Sequence, residues 1–284
     1  GLSGAEIATL MNDEDKKVTR AVQDVLAPIG QAIEAAARTL RSGGRVIYIG
    51  AGTSGRLGVL DASEIPPTFS APPDMIIGVI AGGRDAMFVA REGAEDDPEQ
   101  GKGDLAALSL TKNDFVVGLA ASGRTPYVLG AIAFARATGA TTAGISCNAD
   151  SPLDRACDIP ITPVVGPEIL TGSTRLKSGT AQKQILNMIS TGAMVRLGKC
   201  FGNRMVDLNA SNDKLKARAI NLVADLAPTG KPAAHMALVA AKWDIKTAIL
   251  TERTGLSVTE AAKLIRDSNG HLRRAIAAAE GNAP

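Results

Sequence analysis

The chain has 284 residues, of which 45% are apolar, and its formal net charge at pH 7 is +2. This length suits one large domain or two small ones, and the balanced charge excludes the basic surface of a DNA- or RNA-binding protein. No apolar run reaches the roughly 18 residues that span a membrane, so we expect a soluble, cytoplasmic protein that binds neither nucleic acid nor membrane.

The first predicted element is one long amphipathic helix over residues 12–41, followed by a stop at residues 42–44. Asn12 or Asp13 is placed to cap it, and valines recur at helical spacing. Five apolar runs rich in β-forming residues then predict strands, at 45–50, 75–82, 114–120, 141–147 and 159–165. Segments with a helical pattern lie between them, at 54–64, 84–95, 102–109, 125–138 and 152–156.

Strands that are apolar throughout and alternate with helices predict a parallel sheet that is covered on both faces. Right-handed crossovers then make an α/β, doubly wound fold with five strands in the flavodoxin-like order 2-1-3-4-5. Pro160 and Pro163 place the fifth strand at an edge, where a missing N–H is tolerated.

After residue 166 the pattern becomes helical. Long helices are predicted over 173–199, 212–225 and 232–250, and a final pair is separated by Gly270, with Ser257 capping its first member. The turn-rich stretch PTGKP at 228–232 is the predicted boundary. It divides the chain into a domain at 1–227, which includes the N-terminal helix, and a C-terminal helical subdomain at 228–284.

Two loops follow strands and begin helices: GAGTSGRLG at 50–58 and ASGRTPY at 121–127. Each offers backbone N–H groups at a helix N-terminus together with Ser and Thr hydroxyls, a combination that suits a phosphate group. Their strands flank the point where strand order reverses, which is where open parallel sheets bind ligands. The first loop formally matches GxGxxG, but the second strand ends without the acidic residue that a dinucleotide ribose requires.

Two glutamates are candidates for proton transfer. Glu64 is followed by Pro66, so we expect it at the carboxyl end of its helix, where the helix dipole raises the pKa of a carboxyl group. Glu95 lies among other acids in REGAEDD, and like charges also raise a carboxyl pKa. From the residues alone, solvated surface acids are the favoured interpretation of both.

The remaining reactive side chains are few. Cys147, Cys157 and Cys200 show no CxxC spacing, which is typical of reduced thiols in a cytoplasmic protein. Only His235 and His271 are available as histidine ligands, too few for a His/Cys metal site, so no metal is expected.

Several longer strings carry a resemblance: GAGTSGRLGVLDASEIPPT, REGAED, GLAASGRTPYV, GISCN and LTGSTRLKSGTAQKQILNMISTGAMVRLGK. Together they resemble the N-acetylmuramic acid 6-phosphate etherases of the sugar isomerase (SIS) superfamily, over nearly the whole chain. The resemblance implies cleavage of the D-lactyl ether, without metal or organic cofactor, by elimination followed by hydration. It also implies a role in recycling cell-wall amino sugar.

By motif match, the resemblance implies that Glu64 is the acid that protonates the lactyl oxygen and that Glu95 is the base that removes the C2 proton. It implies a phosphate loop and further sugar or phosphate contacts: Ser122, Gly123, Arg124 and Thr125, with Gly52, Thr53 and Ser54. Arg124 is equally consistent with a surface salt bridge. Glu168, Ser173 and Lys177 either line the site or cap and flank the long helix.

Three further expectations accompany the resemblance. His271 is a candidate for opening the sugar ring, although a surface role suits it better, and the last helices resemble a ubiquitin-associated-like bundle. Along a straight helix, Glu64 lies about 15 Å from the loop at its start, at roughly 1.5 Å per residue. We therefore expect a homodimer in which one subunit binds the phosphate and its mate supplies Glu64, unless the helix breaks at Gly58.

Two other functions are compatible with the same loops. An aldose–ketose phosphosugar isomerase shares the fold and the phosphate loop but needs no acid at C3. A non-catalytic phosphosugar sensor related to glucokinase regulatory protein shares the motifs, but that protein is longer and has two SIS modules.

Overall fold

The computed structural model describes residues 1–208, 210 and 212–281. The chain divides into two compact units, and the division falls inside two helices. The first unit comprises Gly1–Glu64 and Pro73–Ala193, and the second comprises Ile65–Pro72 and Met194–Pro284. Within the described residues, no helix is both long enough and apolar enough to cross a bilayer.

The first unit is built on a five-stranded parallel sheet in the order β2-β1-β3-β4-β5. Its strands are β1 (Val46–Gly50), β2 (Ile76–Ile80), β3 (Phe115–Leu119), β4 (Thr141–Ile145) and β5 (Ile159–Ile161). Every residue of β1 and β3 is buried, which explains the unbroken apolar runs. Both the doubly wound fold and its strand order are confirmed.

The register of the sheet aligns the carboxyl ends of its strands. Gly50 at the end of β1 pairs with Ile80 and with Leu119, the last residues of β2 and β3. Leu119 pairs with Ile145 at the end of β4, which in turn pairs with Ile161. The loops that follow these strands therefore lie together along the carboxyl-terminal edge of the sheet.

Seven helices and one short 3-10 turn, Arg84–Met87, belong wholly or largely to this unit. The helices are α1 (Gly4–Gln23), α2 (Leu26–Arg41), α3 (Gly52–Phe69), α4 (Pro98–Ala107), α5 (Pro126–Thr138), α6 (Pro152–Ala156) and α7 (Lys177–Arg196).

The N-terminal helix differs from the prediction in two ways. It begins at Gly4, because Ser3 and Glu6 form a capping box in which each side chain accepts a hydrogen bond from the other residue's backbone N–H. It also breaks into α1 and α2 between Gln23 and Leu26. Pro28, in the first turn of α2, cannot hydrogen-bond to the carbonyl group of Asp24, so one continuous helix is disfavoured there.

The predicted end of the third helix at Glu64 is wrong. Helix α3 contains Pro66 and Pro67 and continues to Phe69. Both prolines lie in its final turns, so only two N–H donors are lost, and the flanking side chains of Ile65 and Phe69 are buried. Glu64 is therefore an exposed residue inside the helix.

Two other predicted helices are also wrong. Residues 84–95 form only the 3-10 turn followed by a loop. The predicted helix at 232–250 is two helices, since Lys242 and Trp243 adopt positive φ angles and Asp244 caps the second through a hydrogen bond from the Thr247 amide.

The second unit contains a short hairpin that the sequence did not predict, β6 (Cys200–Phe201) with β7 (Arg204–Met205). It also contains α8 (Asp213–Leu226), α9 (Lys231–Ala240), α10 (Ile245–Thr254), α11 (Val258–Asp267) and α12 (Leu272–Ala279). Buried residues of α8 and of α9–α12 share one hydrophobic core. A domain boundary at 227/228 stays a prediction, and residues on its two sides pack together.

Candidate functional site

Helix α3 begins directly at the end of β1, and two glycines allow it to lie against the strand. A Cβ atom on Gly55 would lie 2.6 Å from the carbonyl oxygen of Gly50, and one on Gly50 would lie 2.8 Å from the Gly55 nitrogen. The formal GxGxxG pattern therefore serves close packing of helix and strand. Gly52 opens the helix with a φ of +53° and is exposed.

The two hydroxyl residues after Gly52 have different surroundings. Ser54 is buried, and its hydroxyl donates a 2.7 Å hydrogen bond to Oε1 of Gln182 on α7. Gln182 in turn donates to the carbonyl oxygen of Ile145 at the end of β4. Thr53 is half-buried and lies against Gly179. The structure therefore brings the first turns of α3 and α7 together, with the Ser54 side chain directed into that contact.

The second loop, residues 121–125, follows β3 and is supported from one side by α6. Gly123 has a φ of +66°, and a Cβ atom there would lie 2.2 Å from the Ser151 hydroxyl. Its carbonyl oxygen accepts a hydrogen bond from the Leu153 amide. Ser122 and Arg124 are exposed, and Arg124 forms no ion pair with any residue the structure describes. The loop thus presents a hydroxyl and a guanidinium group to solvent.

Glu95 lies beside this loop. Its carbonyl oxygen accepts a 3.0 Å hydrogen bond from the Tyr127 amide, in the first turn of α5. Two residues later, the Asp97 side chain caps α4 by accepting hydrogen bonds from the amides of Glu99 and Gln100. The segment that carries Glu95 is therefore held between the N-termini of α4 and α5.

A cavity of about 200 Å³ joins Glu95 to the start of α3. Among its lining residues are Gly52, Arg56, Arg91, Glu92 and Glu95. The acidic crowding predicted around Glu95 is thus partly balanced by two guanidinium groups. Sequence reasoning missed both arginines as site residues, although Arg56 lies within the GTSGR string that drew attention to the loop.

Glu64 does not belong to this cavity. Twelve residues separate it from Gly52 on α3, about 18 Å at roughly 1.5 Å per residue. The helix is not broken at Gly58, where a Cβ atom would lie 2.9 Å from Leu119 and 3.1 Å from Tyr48 of the sheet. The structure therefore brings Glu95 together with the α3 loop, while Glu64 of the same chain is remote from Gly52.

Glu168 and Lys177 are both engaged at the start of α7. The Glu168 carboxylate accepts 3.0 Å hydrogen bonds from the amides of Lys177 and Ser178 and from the Ser178 hydroxyl, so it caps the helix. The ammonium group of Lys177 is buried and forms a 2.7 Å ion pair with Glu14 of α1. Hydrogen bonds from Lys17 and then Lys177 lower the pKa of Glu14 to about 2.

The structure does not place the other predicted residues, Ser173 and His271, among the residues that line the Glu95 cavity. Ser173 is half-buried, and its amide donates to the carbonyl oxygen of Leu170. His271 lies in the second unit at the start of α12, close to Gly198. In the part of the chain that the structure describes, no group of three or more His, Cys, Asp or Glu side chains is arranged to hold a metal ion.

A second polar cluster, which the sequence did not suggest, lies between α3 and α7. The buried Asp61 carboxylate accepts hydrogen bonds through Oδ1 from Asn187 and Ser190. Its Oδ2 and the nearby Tyr48 hydroxyl are buried, and neither forms a hydrogen bond of good geometry with any described residue. Burial raises the pKa of Asp61, and burial together with the Asp61 charge raises that of Tyr48.

Family models match two stretches of the chain. The glucokinase regulatory protein N-terminal SIS domain matches residues 28–136, and the SIS domain matches residues 99–191. Two solved structures share the fold. A phosphoheptose isomerase from Francisella tularensis is 18% identical with a TM-score of 0.52, covering 67% of this chain and 100% of that chain. One from Neisseria gonorrhoeae is 14% identical with a TM-score of 0.51, covering 66% and 97%.

Curated relatives are far more similar. The N-acetylmuramic acid 6-phosphate etherase of Serratia proteamaculans is 54% identical over 275 residues, 97% of this chain and 93% of the relative. The etherase of Brucella anthropi is 54% identical over 97% of this chain and 90% of the relative, and that of Salmonella agona is 53% identical over 97% and 93%. At this identity and coverage, the chain belongs to the N-acetylmuramic acid 6-phosphate etherase family.

Proposed function

We propose that this protein is a carbon–oxygen lyase that cleaves the D-lactyl ether of N-acetylmuramic acid 6-phosphate in the recycling of cell-wall amino sugar. The products are N-acetylglucosamine 6-phosphate and D-lactate. Membership of the etherase family supports the reaction. The observation that carries the residue assignment is the cavity that Glu95 shares with the first turn of α3, next to the loop at the start of α5.

The reaction is elimination followed by hydration. In the open-chain sugar the C1 aldehyde acidifies the C2 proton, which Glu95 removes as a general base. The C3–O bond then breaks, a C2–C3 double bond forms, and Glu64 protonates the departing lactyl oxygen. Water adds at C3 with its proton passing to Glu64, while C2 regains a proton from Glu95. Atoms and charges balance without a further reactant.

The phosphate group is assigned to the loops at the carboxyl ends of β1 and β3. Their backbone N–H groups at helix N-termini and the exposed Ser122 and Arg124 side chains suit a phosphate dianion. Gly52, Thr53, Gly123 and Thr125 complete the proposed binding loops. Ser54 holds α3 against α7 through Gln182, Glu168 caps α7, and Lys177 joins α7 to Glu14 of α1, so these three residues support the site rather than face it.

The active enzyme is a homodimer with shared sites. Glu64 and Glu95 must act on adjacent carbon atoms, yet Glu64 lies about 18 Å along α3 from Gly52 and about 12 Å from Arg56, which both line the Glu95 cavity. A two-fold axis that brings the partner's copy of this exposed glutamate over the cavity resolves the difference. We also place the protein in the cytoplasm, which suits its three free cysteines.

Release of D-lactate from N-acetylmuramic acid 6-phosphate in ¹⁸O-water tests the chemistry, and label at C3 of the sugar is expected. Lactate without label at C3 excludes elimination and hydration. Conversion of an aldose phosphate to a ketose phosphate without lactate identifies an isomerase, and binding without turnover identifies a sensor.

Mixing two inactive variants tests the shared site. Glu64→Gln and Glu95→Gln dimers are each expected to release no lactate, but a mixed dimer holds one intact site. After subunit exchange, a statistical mixture should recover about a quarter of the wild-type activity. No recovery in a mixture shown to contain mixed dimers contradicts the sharing but leaves the reaction assignment intact.

A further inference from the structure

Charged side chains of both signs surround the Glu95 cavity, and the steps above use only one of them. Glu92 and Glu95 contribute carboxylates, and Arg56 and Arg91 contribute guanidinium groups. Two carboxylates alone would repel an anionic substrate group. A guanidinium in the same cavity compensates that repulsion and offers a forked pair of donors.

The two arginines differ in how firmly they are held. Arg56 lies in the second turn of α3, is half-buried, and donates its Nε–H to the carbonyl oxygen of Met87 at 3.0 Å. No residue in the described part of the chain accepts a hydrogen bond from its two Nη groups. Arg91 lies in the loop, is 53% exposed, and pairs with the exposed carboxylate of Asp85. Arg56 is therefore the preorganised cation of this cavity.

The proposed substrate carries two anionic groups, at opposite ends of the sugar. The phosphate is on C6, whereas the lactyl carboxylate hangs from the oxygen of C3, next to the C2 proton that Glu95 removes. A sugar whose C2 lies at Glu95 must therefore place its lactyl carboxylate in or beside the Glu95 cavity.

We propose that Arg56 binds the lactyl carboxylate and so determines specificity for muramic acid over glucosamine phosphates, an inference that rests on the proposed function. The hydrogen bond to the Met87 carbonyl oxygen fixes the plane of the Arg56 guanidinium. The two Nη groups of Arg56 then donate hydrogen bonds to the lactyl carboxylate. N-acetylglucosamine 6-phosphate has the same phosphate but no carboxylate, so it lacks this contact.

Affinities of three probes test the proposal in a Glu95→Gln background, where substrate is not consumed. The probes are N-acetylmuramic acid 6-phosphate, its neutral lactyl amide, and N-acetylglucosamine 6-phosphate, each titrated calorimetrically. Arg56→Gln should weaken binding of the acid by about 10- to 100-fold, the worth of a charge-assisted hydrogen bond. Binding of the amide and of N-acetylglucosamine 6-phosphate should not change.

Arg38→Gln is the matched control, because Arg38 is an exposed arginine of α2 outside the cavity lining, and it should leave the Kd of all three probes unchanged. Arg91→Gln removes the other guanidinium of the cavity, and it should weaken the acid less than Arg56→Gln does. Arg56→Lys keeps a charge without the fork, and it should weaken only the acid, by less than Arg56→Gln. This variant also supplies the test if Arg56→Gln does not fold, as judged by its thermal midpoint.

Several results overturn the proposal. Equal weakening of the acid and of N-acetylglucosamine 6-phosphate shows that Arg56 serves the phosphate or the fold instead. If Arg91→Gln, and not Arg56→Gln, selectively weakens binding of N-acetylmuramic acid 6-phosphate, the lactyl carboxylate is bound by Arg91 instead. If the Glu95→Gln protein with Arg56 intact binds N-acetylglucosamine 6-phosphate but not N-acetylmuramic acid 6-phosphate, the proposed function itself is wrong. This result differs from the two results above, which concern Arg56 alone.

Discussion

Replacing Asp61 by asparagine should stabilise the protein at neutral pH. The Asp61 side chain is 6% exposed, and its Oδ1 accepts bonds from Asn187 (2.8 Å) and Ser190 (3.2 Å). Among the residues that the structure describes, none forms a hydrogen bond of good geometry with its buried Oδ2. An asparagine of the same shape keeps the Oδ1 acceptor, removes the buried charge, and turns an amide donor toward the Tyr48 hydroxyl.

The magnitude follows from the cost of a buried unsatisfied polar atom, about 1–3 kcal/mol and more when the atom is charged. We expect Asp61→Asn to gain about 1 kcal/mol, because the new amide must also find its own partner. For a chain of this size, that gain corresponds to a rise of about 2–4 °C in the thermal midpoint. Asp61→Ala should have the opposite effect, since it leaves Asn187 and Ser190 without their acceptor.

The pH dependence gives a sharper test. Burial raises the pKa of Asp61 in the folded protein, so the folded state holds this proton more tightly than the unfolded state does. The wild type therefore loses stability as pH rises from the unfolded pKa, about 3.9, through the raised folded value. Circular dichroism melts should show the advantage of the Asp61→Asn variant at pH 7 and its disappearance at lower pH. A lower midpoint for Asp61→Asn at pH 7 would refute the reasoning.

Three other predictions rest on burial or on one close contact. Asp114→Asn should lower the free energy of unfolding in urea by about 3 kcal/mol, because the Asp114 carboxylate is 2% exposed and accepts a 2.8 Å hydrogen bond from Arg45. A decrease of less than ~1 kcal/mol contradicts this. Burial raises the pKa of Cys147 and Cys157 to about 11, so at pH 8 only about a thousandth of each is thiolate. A disulfide reagent should label them slowly until guanidinium is added, and prompt labelling of the native protein is the contrary result. Gly101→Ala should destabilise by about 1–3 kcal/mol and lower lactate release, since its Cβ would lie 2.0 Å from an α5 carbonyl oxygen. Gly103→Ala, with open space around it, should not destabilise.

The sheet was predictable from sequence because it is buried on both faces. Apart from the hydroxyl group of Tyr48, every side chain of β1 and β3 is apolar or absent, so no alternation of polar residues suggests an exposed strand. Strand order then follows from the handedness of the crossovers, which leaves few topologies. The edge position of β5 follows from Pro160 and Pro163, and the strand does end before Pro163.

Helix ends were less predictable, because each depends on a contact that the pattern does not contain. Pro28 breaks the N-terminal helix, whereas Pro66 and Pro67 do not end α3, where buried neighbours hold the last turns in place. The same residue type thus gives opposite results in two helices. Helix α3 therefore continues five residues beyond the predicted boundary at Glu64.

The direction of each side chain was the second feature of the site that the sequence could not predict. Thr53 and Ser54 are adjacent in a loop that suits phosphate, but one residue of helical rotation turns Ser54 onto Gln182 and into the interior. Arg56, two residues later, reaches the cavity instead. The residue types predicted a binding loop, and only the structure distinguishes the residues that hold the loop from those that face its opening.

The geometry of α3 links the proposed chemistry to assembly. Gly55, Gly58 and Gly78 let the helix lie directly on the sheet: a Cβ atom on Gly78 would lie 2.5 Å from the Val59 Cα. A helix packed this closely cannot slide or bend to carry Glu64 back toward Gly52 without a steric clash. Because elimination needs acid and base on neighbouring carbons, and Glu64 lies about 18 Å along α3 from Gly52 at the Glu95 cavity, we propose that a second copy completes each site. The glycines that allow this packing therefore support the shared-site proposal as directly as the two glutamates do.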